Sequence, residues 1–271
     1  MIDILLIAII AIIIGANDAS NVFGSAVGSK MLKFKISVVF FIIFIISGSI
    51  INAENPSQVY GNLILDYPDI SKIFLIIIPV VVITIISLIL KIPSSISQSV
   101  IFSLIGFSFV EKLSINFDLF YNLIYFWLAT PIIAFILSIL FCRLINFIFK
   151  ILRLNIFQID YQIRLALIFF GCIAAFALGA HLTAAIVGIY SPFLDIDLNV
   201  LNFSLILNDK KLYFFASLLI GFGAYSFSQK IVRTIGSQIS NIKPVPALAI
   251  LFTQIFICLL YTSPSPRDDE L

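Results

Sequence analysis

Near its start the chain reads Ile2-Asp-Ile-Leu-Leu-Ile-Ala-Ile-Ile-Ala-Ile-Ile-Ile-Gly-Ala-Asn-Asp18-Ala-Ser-Asn21. This segment predicts a membrane helix with polar side chains directly inside a long apolar run. Apart from Asp3, Asp18 is its only charged residue. A carboxylate at membrane depth costs on the order of a few kcal/mol, so it normally marks a transport pathway or a buried partner. The glycine, asparagines and serine around it can offer backbone groups to an ion. The pattern predicts a membrane transporter whose first helix has a polar, ion-holding break.

The composition excludes a soluble protein. Of the 271 residues, 61% are hydrophobic and 11% are charged, and the mean hydropathy is +1.17. Apolar segments of membrane-spanning character run over residues 2–27, 36–53, 73–91, 96–110, 119–142, 165–189, 212–229 and 244–260. The predicted fold class is therefore an all-α integral membrane protein with about eight transmembrane segments. The fourth segment is short and follows Pro93, which predicts a broken or re-entrant segment near residues 93–99.

The basic residues predict an orientation with the N-terminus outside. The inside loops would then hold Lys30, Lys33, Lys35, Lys91, Arg143, Lys150, Arg153, Arg164, Lys230, Arg233 and Lys243. The outside loops would hold only Lys72, Lys112, Lys210 and Lys211. This is a clear positive-inside bias, and we expect a multi-pass protein of the cell membrane. No positive region precedes residues 2–14, so we expect no cleaved signal peptide.

A weak internal echo predicts an inverted repeat of the kind common among secondary transporters. Ile14-Gly15-Ala16-Asn17-Asp18-Ala19 is answered by Leu178-Gly179-Ala180-His181-Leu182-Thr183. Residues 1–155 are predicted to form the first transmembrane repeat and 156–260 a second, incomplete one. The polar residues 261–271 differ abruptly from the rest. We interpret them as non-native sequence joined to a truncated reading frame, although an ordinary disordered tail would have the same composition.

Two polar clusters are candidate sites. Asn17, Asp18 and Asn21 form an oxygen-rich group that suits Na⁺, or a carboxylate that takes up and releases a proton. The alternative is a buried aspartate that serves packing alone. Four serines and Gln98 follow Pro93, at a helix start whose free amides could cradle an anion. A polar inside loop with a helix cap is the alternative there.

The single histidine, His181, lies near Thr183 opposite Asn17-Asp18 in the echo and is a candidate for a second-repeat site. A satisfied core histidine is an equally good interpretation. Arg233 fits an ordinary inside-loop charge better than a substrate contact. The cysteines, Cys142, Cys172 and Cys258, are far apart in sequence and fit small buried side chains, not disulfides or metal ligands.

With these residues in hand, the chain resembles the inorganic phosphate transporter family, the PiT permeases. The run from Gly15 to Lys30 resembles that family's Gly-Ala-Asn-Asp-Val-Ala-Asn-Ala signature and the small residues up to its Gly-Ser-Lys. Trp127-Leu-Ala-Thr-Pro131 resembles Trp-x-x-Ser-Pro, and Arg233-Thr-Ile-Gly-Ser-Gln-Ile239 resembles Arg-Thr-Ile-Gly-x-x-Ile. The resemblance covers nearly all of residues 1–260.

The resemblance implies two inverted repeats, with phosphate held between them and Na⁺ or H⁺ as the coupling ion. It implies that Asn17 and Asp18 bind the coupling ion, and that they are metal ligands if this ion is Na⁺. It also implies a substrate site at Ser95, Ser97, Gln98 and Asn21, beginning at Pro93. Three departures are evident: Ile96 replaces a threonine, Gln98 replaces a histidine, and His181-Leu182 stands where Asn-Asp is expected.

The expected function is that of a permease importing inorganic phosphate, coupled to Na⁺ or H⁺. A sulfate or other oxyanion permease of the same fold is the alternative. An intramembrane hydrolase using Ser95 or Ser97, His181 and Asp18 has the residue types of a triad but no nucleophile motif, so we expect no enzyme. A purely structural membrane subunit is a further alternative. The expected partners are the anion, the lipid bilayer and a second copy in a homodimer, with no nucleic acid and no cofactor besides Na⁺.

Overall fold

The computed structural model describes residues 2–66, 72–90, 94–190, 209–233 and 242–262, which form ten helices and one isolated β-bridge. The helices are α1 (Ile2–Gly28), α2 (Phe34–Asn52), α3 (Glu54–Gly61), α4 (Phe74–Leu90), α5 (Ile96–Glu111), α6 (Phe117–Leu152), α7 (Ile156–Val187), α8 (Asp209–Phe227), α9 (Gln229–Arg233) and α10 (Pro244–Thr262). Each of the eight predicted apolar segments coincides with one of the longer helices. The prediction of an all-α membrane protein is confirmed.

Among the described helices, four are long and apolar enough to cross a bilayer, namely Leu5–Gly28, Phe34–Asn52, Phe117–Leu152 and Ile156–Val187. Shorter apolar helices cover Phe74–Ser87, Ile96–Glu111 and Pro244–Cys258. α6 and α7 extend beyond their predicted segments. The Asn116 side chain caps the start of α6 by accepting from the Leu119 amide, and Gln158 accepts from the Asn155 amide at the start of α7. The predicted repeat boundary at residues 155 and 156 falls at this second helix start.

The predicted break in the first helix is wrong, because α1 is helical without interruption through Asn17 and Asp18. Its polar side chains form hydrogen bonds along the helix: Ser20 Oγ donates to the Asn17 carbonyl, 2.9 Å away. The glycine that suggested a break serves packing instead. A Cβ on Gly15 would lie 1.8 Å from the Ile220 carbonyl oxygen of α8.

The predicted break near residues 93–99 is confirmed, and α4 and α5 form a hairpin around it. Their far ends are held together by the Lys72–Glu111 ion pair at 2.5 Å. Ser103 Oγ donates to the Ile76 carbonyl between the two helices. At 1.5 Å per residue each helix is only about 25 Å long, shorter than the roughly 30 Å hydrocarbon core of a bilayer. A re-entrant hairpin has these dimensions.

Two helix pairs meet at backbone contact and form the centre of the bundle. α1 packs on α8 and α2 packs on α7, and glycines stand at both contacts. In α1 and α8, a Cβ on Gly15 would lie 1.8 Å from the carbonyl oxygen of Ile220, and one on Gly223 would lie 1.9 Å from that of Ile12. Only glycine allows such an approach.

The second pair repeats the first with constant offsets. A Cβ on Gly179 would lie 2.4 Å from the Ile45 carbonyl oxygen, and one on Gly48 would lie 1.9 Å from that of Phe176. Positions 12 and 15 of α1 therefore correspond to 176 and 179 of α7, always 164 residues later. Positions 45 and 48 of α2 correspond to 220 and 223 of α8, always 175 later. An inverted repeat would give such constant offsets, and the repeat itself stays a prediction.

The glycine contacts lead to a test of stability. We expect Gly48→Ala to lower the melting temperature of the detergent-solubilised protein, because overpacking of a tight contact costs about 1–3 kcal/mol. Gly106→Ala is the matched control, since its Cβ would meet nothing within 4 Å and alanine favours a helix. Thermal unfolding followed by size-exclusion chromatography compares the two. Equal melting temperatures would contradict the close contact.

Candidate functional site

Asp18 lies near the middle of α1 and is 5% exposed. Two amides point at one of its carboxylate oxygens: Asn21 Nδ2 donates to Oδ1 over 2.8 Å, and Asn17 Nδ2 donates to the same atom over 2.9 Å. These three residues are the predicted ion cluster, and the helix brings them together because positions 17, 18 and 21 share one side. The carboxylate is thus held by hydrogen bonds from two side-chain amides.

The tip of the α4–α5 hairpin is joined to this cluster through Asn17. Its Nδ2 also donates to the Ser94 carbonyl oxygen over 2.9 Å. Asn17 is about 22 Å along α1 from its start, as 1.5 Å per residue gives. The hairpin tip therefore meets α1 deep inside the bundle, next to the buried carboxylate. Residues 91–93, which include Pro93, lie outside the described part of the chain.

Two buried oxygens of the residues that form this contact have no hydrogen-bond partner among the described residues: Asn17 Oδ1 and Ser94 Oγ. A buried polar atom without a partner costs about 1–3 kcal/mol, so native proteins rarely leave one unsatisfied without a reason. Amide, hydroxyl and carboxylate oxygens are the ligands of hard cations. The predicted Na⁺ ligands, Asn17 and Asp18, therefore fit such an ion, with Ser94 as a third oxygen donor beside them.

The predicted substrate residues divide between two faces of the hairpin. Ser95 and Gln98 line a cavity of about 530 Å³ between α4 and α5, together with Ser99 and Ser103. Ser97, in the first turn of α5, is not among the residues that line it. Asn21, the fourth predicted substrate residue, contacts Asp18 instead of the serines. Ser95 is the residue immediately before α5. Its backbone is extended, and its side chain does not cap the helix.

The predicted second-repeat residues lie in a different environment. Thr183 is fully buried; its hydroxyl donates to the Gly179 carbonyl over 2.7 Å and lies 3.0 Å from Ser49 Oγ of α2. Ser49 Oγ also lies 3.0 Å from the Tyr213 carbonyl of α8. His181 is half-buried on the same helix. The side chain of Arg233 and residues 234–241 lie outside the described part of the chain.

Two contacts of the described structure escaped the sequence reasoning. Ser94 contacts Asn17, whereas the prediction named Ser95 and Ser97; only its place directly after Pro93 could have pointed to it. The hydroxyl cluster of Ser49 and Thr183 joins residues that are far apart in the chain, so no local pattern signals it. In the described residues no three His, Cys, Asp or Glu side chains come together as a transition-metal site would require.

Known proteins resemble this chain in sequence and in fold. The model of the phosphate transporter family matches residues 14–264. The chain belongs to the phosphate transporter family. The matched region contains Asn17, Asp18, the hairpin tip and the four glycines of the two helix contacts.

Two individual proteins that resemble this chain have low sequence identity to it. A protein of Methanocaldococcus jannaschii, named as a putative phosphate permease, is 24% identical over 230 residues, which cover 85% of this chain and 67% of the relative. A solved structure titled "The sodium-dependent phosphate transporter" superposes with a TM-score of 0.72 at 15% identity. The match covers 95% of this chain and 82% of that one, and at this identity it establishes the fold alone.

Membership of this family resolves several of the sequence predictions. The resemblance to phosphate transporters is confirmed, and so is the membrane setting. The family consists of transporters, so the hydrolase alternative is excluded and the prediction that the chain is not an enzyme is confirmed. Phosphate transport is the activity that the family supports. The coupling ion and the individual site residues remain predictions.

The contact between Asn17 and the hairpin tip leads to a test. Asn17→Ala removes the hydrogen bond to the Ser94 carbonyl, and a typical bond is worth about 0.5–1.5 kcal/mol. We expect hydrogen–deuterium exchange of the amides at the start of α5 to accelerate by about twofold to tenfold. Asn146→Ala is the matched control, because Asn146 is exposed on α6 and bonds only within that helix. Unchanged exchange in Asn17→Ala would contradict the contact.

Proposed function

We propose that this chain imports inorganic phosphate across the cell membrane in symport with Na⁺. Asp18 and Asn17 hold the cation, and the start of α5 holds the anion. One observation carries this proposal: the Asn17 side chain touches both the Asp18 carboxylate and the hairpin tip. A residue that joins the two positions can couple them, because an ion bound at one changes the geometry offered to the other.

The unpartnered oxygens favour Na⁺ over H⁺ as the coupling ion. A proton would need only the Asp18 carboxylate, whereas a metal ion needs several oxygens around it. Asn17 Oδ1 and Ser94 Oγ are buried without a hydrogen-bond partner among the described residues, so both are available as ligands beside the Asp18 carboxylate. A cation at Asn17 Oδ1 would also orient the amide so that its Nδ2 donates to the Ser94 carbonyl. Cation binding would thereby hold the hairpin tip in place.

The start of α5 has the donors that an anion requires. The first amides of a helix have no partner within it, and the helix dipole adds positive potential there. The Ser95 side chain leaves these amides uncapped, and Ser95, Ser97 and Gln98 add hydroxyl and amide donors. Asn21 completes the predicted substrate set on the side of Asp18. Rocking of one half of the bundle against the other would expose this pocket to each side in turn.

The role of Asp18 can be tested by uptake of labelled phosphate into proteoliposomes. We expect Asp18→Asn to abolish sodium-stimulated uptake or to raise the sodium concentration required by about tenfold or more, because an interaction with a charged group is worth about 1.5–3 kcal/mol. Asp160→Asn is the matched control, since Asp160 is exposed on α7 and pairs with Arg164. Undiminished sodium-stimulated uptake by Asp18→Asn would refute the proposal.

Sulfate is the alternative substrate, and the chemistry of the pocket favours phosphate. Near neutral pH phosphate keeps a proton that it can donate, whereas sulfate has none. Serine hydroxyls and a glutamine can accept such a hydrogen bond as well as donate one. The site therefore matches an anion that is both acceptor and donor.

Competition in the uptake assay distinguishes the two anions. We expect unlabelled phosphate to block uptake of labelled phosphate, and an equal concentration of sulfate to leave it nearly unchanged. The physical reason is that a site with hydrogen-bonding groups for a substrate hydroxyl discriminates strongly against an analogue that lacks it. Equal competition by sulfate would favour a general oxyanion permease.

A further inference from the structure

The constant offsets between the two helix pairs assign each residue of α1 an equivalent in α7. Gly15 and Gly179 make the same backbone contact, and position 12 matches position 176 in the same way. The equivalents of the α1 cluster therefore lie 164 residues later. Asn17 corresponds to His181, Asp18 to Leu182, and Asn21 to Ala185.

The α7 equivalents are poor ligands for a hard cation. Leu182 is 4% exposed and Ala185 is fully buried, so apolar groups fill the positions of the carboxylate and of one amide. His181 presents ring nitrogens where Asn17 presents an amide oxygen, and hard cations prefer oxygen. A cation placed there would lose its water without gaining a charged partner, which is strongly unfavourable.

The hydroxyl contact between Thr183 and Ser49 lies beside these residues, and the same offsets assign its two positions equivalents in the other half. Thr183 and Ser49, 3.0 Å apart, correspond to Ala19 and Ala224 in the other half. Both alanines are buried. The two halves therefore differ in opposite ways. In α1 the polar cluster of Asn17 and Asp18 lies next to the apolar Ala19, whereas in α7 the apolar Leu182 lies next to the hydrogen-bonded Thr183. Thr183 Oγ1 already donates to the Gly179 carbonyl, which engages its hydrogen within the helix.

We infer that the two related halves bind a single sodium ion, at Asp18, and that the equivalent position on α7 is a packing contact between α2, α7 and α8. This inference rests on the proposed sodium site. Phosphate uptake then depends on sodium with a Hill coefficient near one, because one ion binds in each cycle. His181 and Thr183, the predicted second-repeat site, position helices and do not touch the ion.

Equilibrium binding of radioactive sodium to the purified full chain, with phosphate present, tests the inference. We expect about one ion per chain in the unmodified protein and in Asp160→Asn, and none in Asp18→Asn. We expect Thr183→Val and His181→Leu to keep the single ion, since neither removes a ligand. Monodisperse elution from a size-exclusion column verifies that each variant is folded before its sodium is counted.

Each outcome is decisive. Two ions per chain would overturn the inference, most directly if Thr183→Val or His181→Leu lost one of them, while the proposed function would stand. One ion that survives in Asp18→Asn would also overturn it. No bound sodium in the folded, unmodified protein would overturn both the inference and the sodium symport proposed above.

Discussion

The backbone contact of α1 with α8 and of α2 with α7 is the constraint on which the rest of the structure depends. Four glycines allow it, and each stands where a Cβ would overlap a carbonyl oxygen of the facing helix. In a bilayer, where lipid tails are as apolar as leucine, helices associate through close packing of this kind. Gly15 is two residues from Asn17, so the contact that orients α1 also places the ion cluster at the centre of the bundle.

The buried carboxylate sets a second requirement that the local structure meets. Asp18 has amide donors from the preceding residue and from one helical turn later, so an uninterrupted helix can carry it. The same Asn17 amide reaches the hairpin tip. A short hairpin that ends inside the bundle is therefore not an incomplete crossing. Its tip brings a helix start and Ser94 close to the carboxylate, and these are the two kinds of group that the proposed symport requires.

The sequence predicted the helices well and the local geometry less well. Apolar runs of bilayer length identify membrane helices because no other structure satisfies the backbone in lipid. Pro93 and the four serines after it marked the break between α4 and α5, because proline stands at helix starts and a run of polar side chains does not suit a helix that faces lipid. The break in α1 was wrong, because glycine and asparagine have two uses that look alike in sequence: they can end a helix, or they can let two helices touch. Only the facing residue, Ile220, decides which use applies.

From the sequence alone followed the fold class, the helical segments, the family and the grouping of Asn17, Asp18 and Asn21, because each depends on residues close together in the chain. The packing of helices distant in sequence decided that Ser94 meets Asn17 and that Thr183 bonds to Ser49. It also decided that Gly15 faces Ile220 and Gly48 faces Phe176. These features join residues tens of positions apart, and side-chain periodicity carries no information about which distant helix a given face will meet.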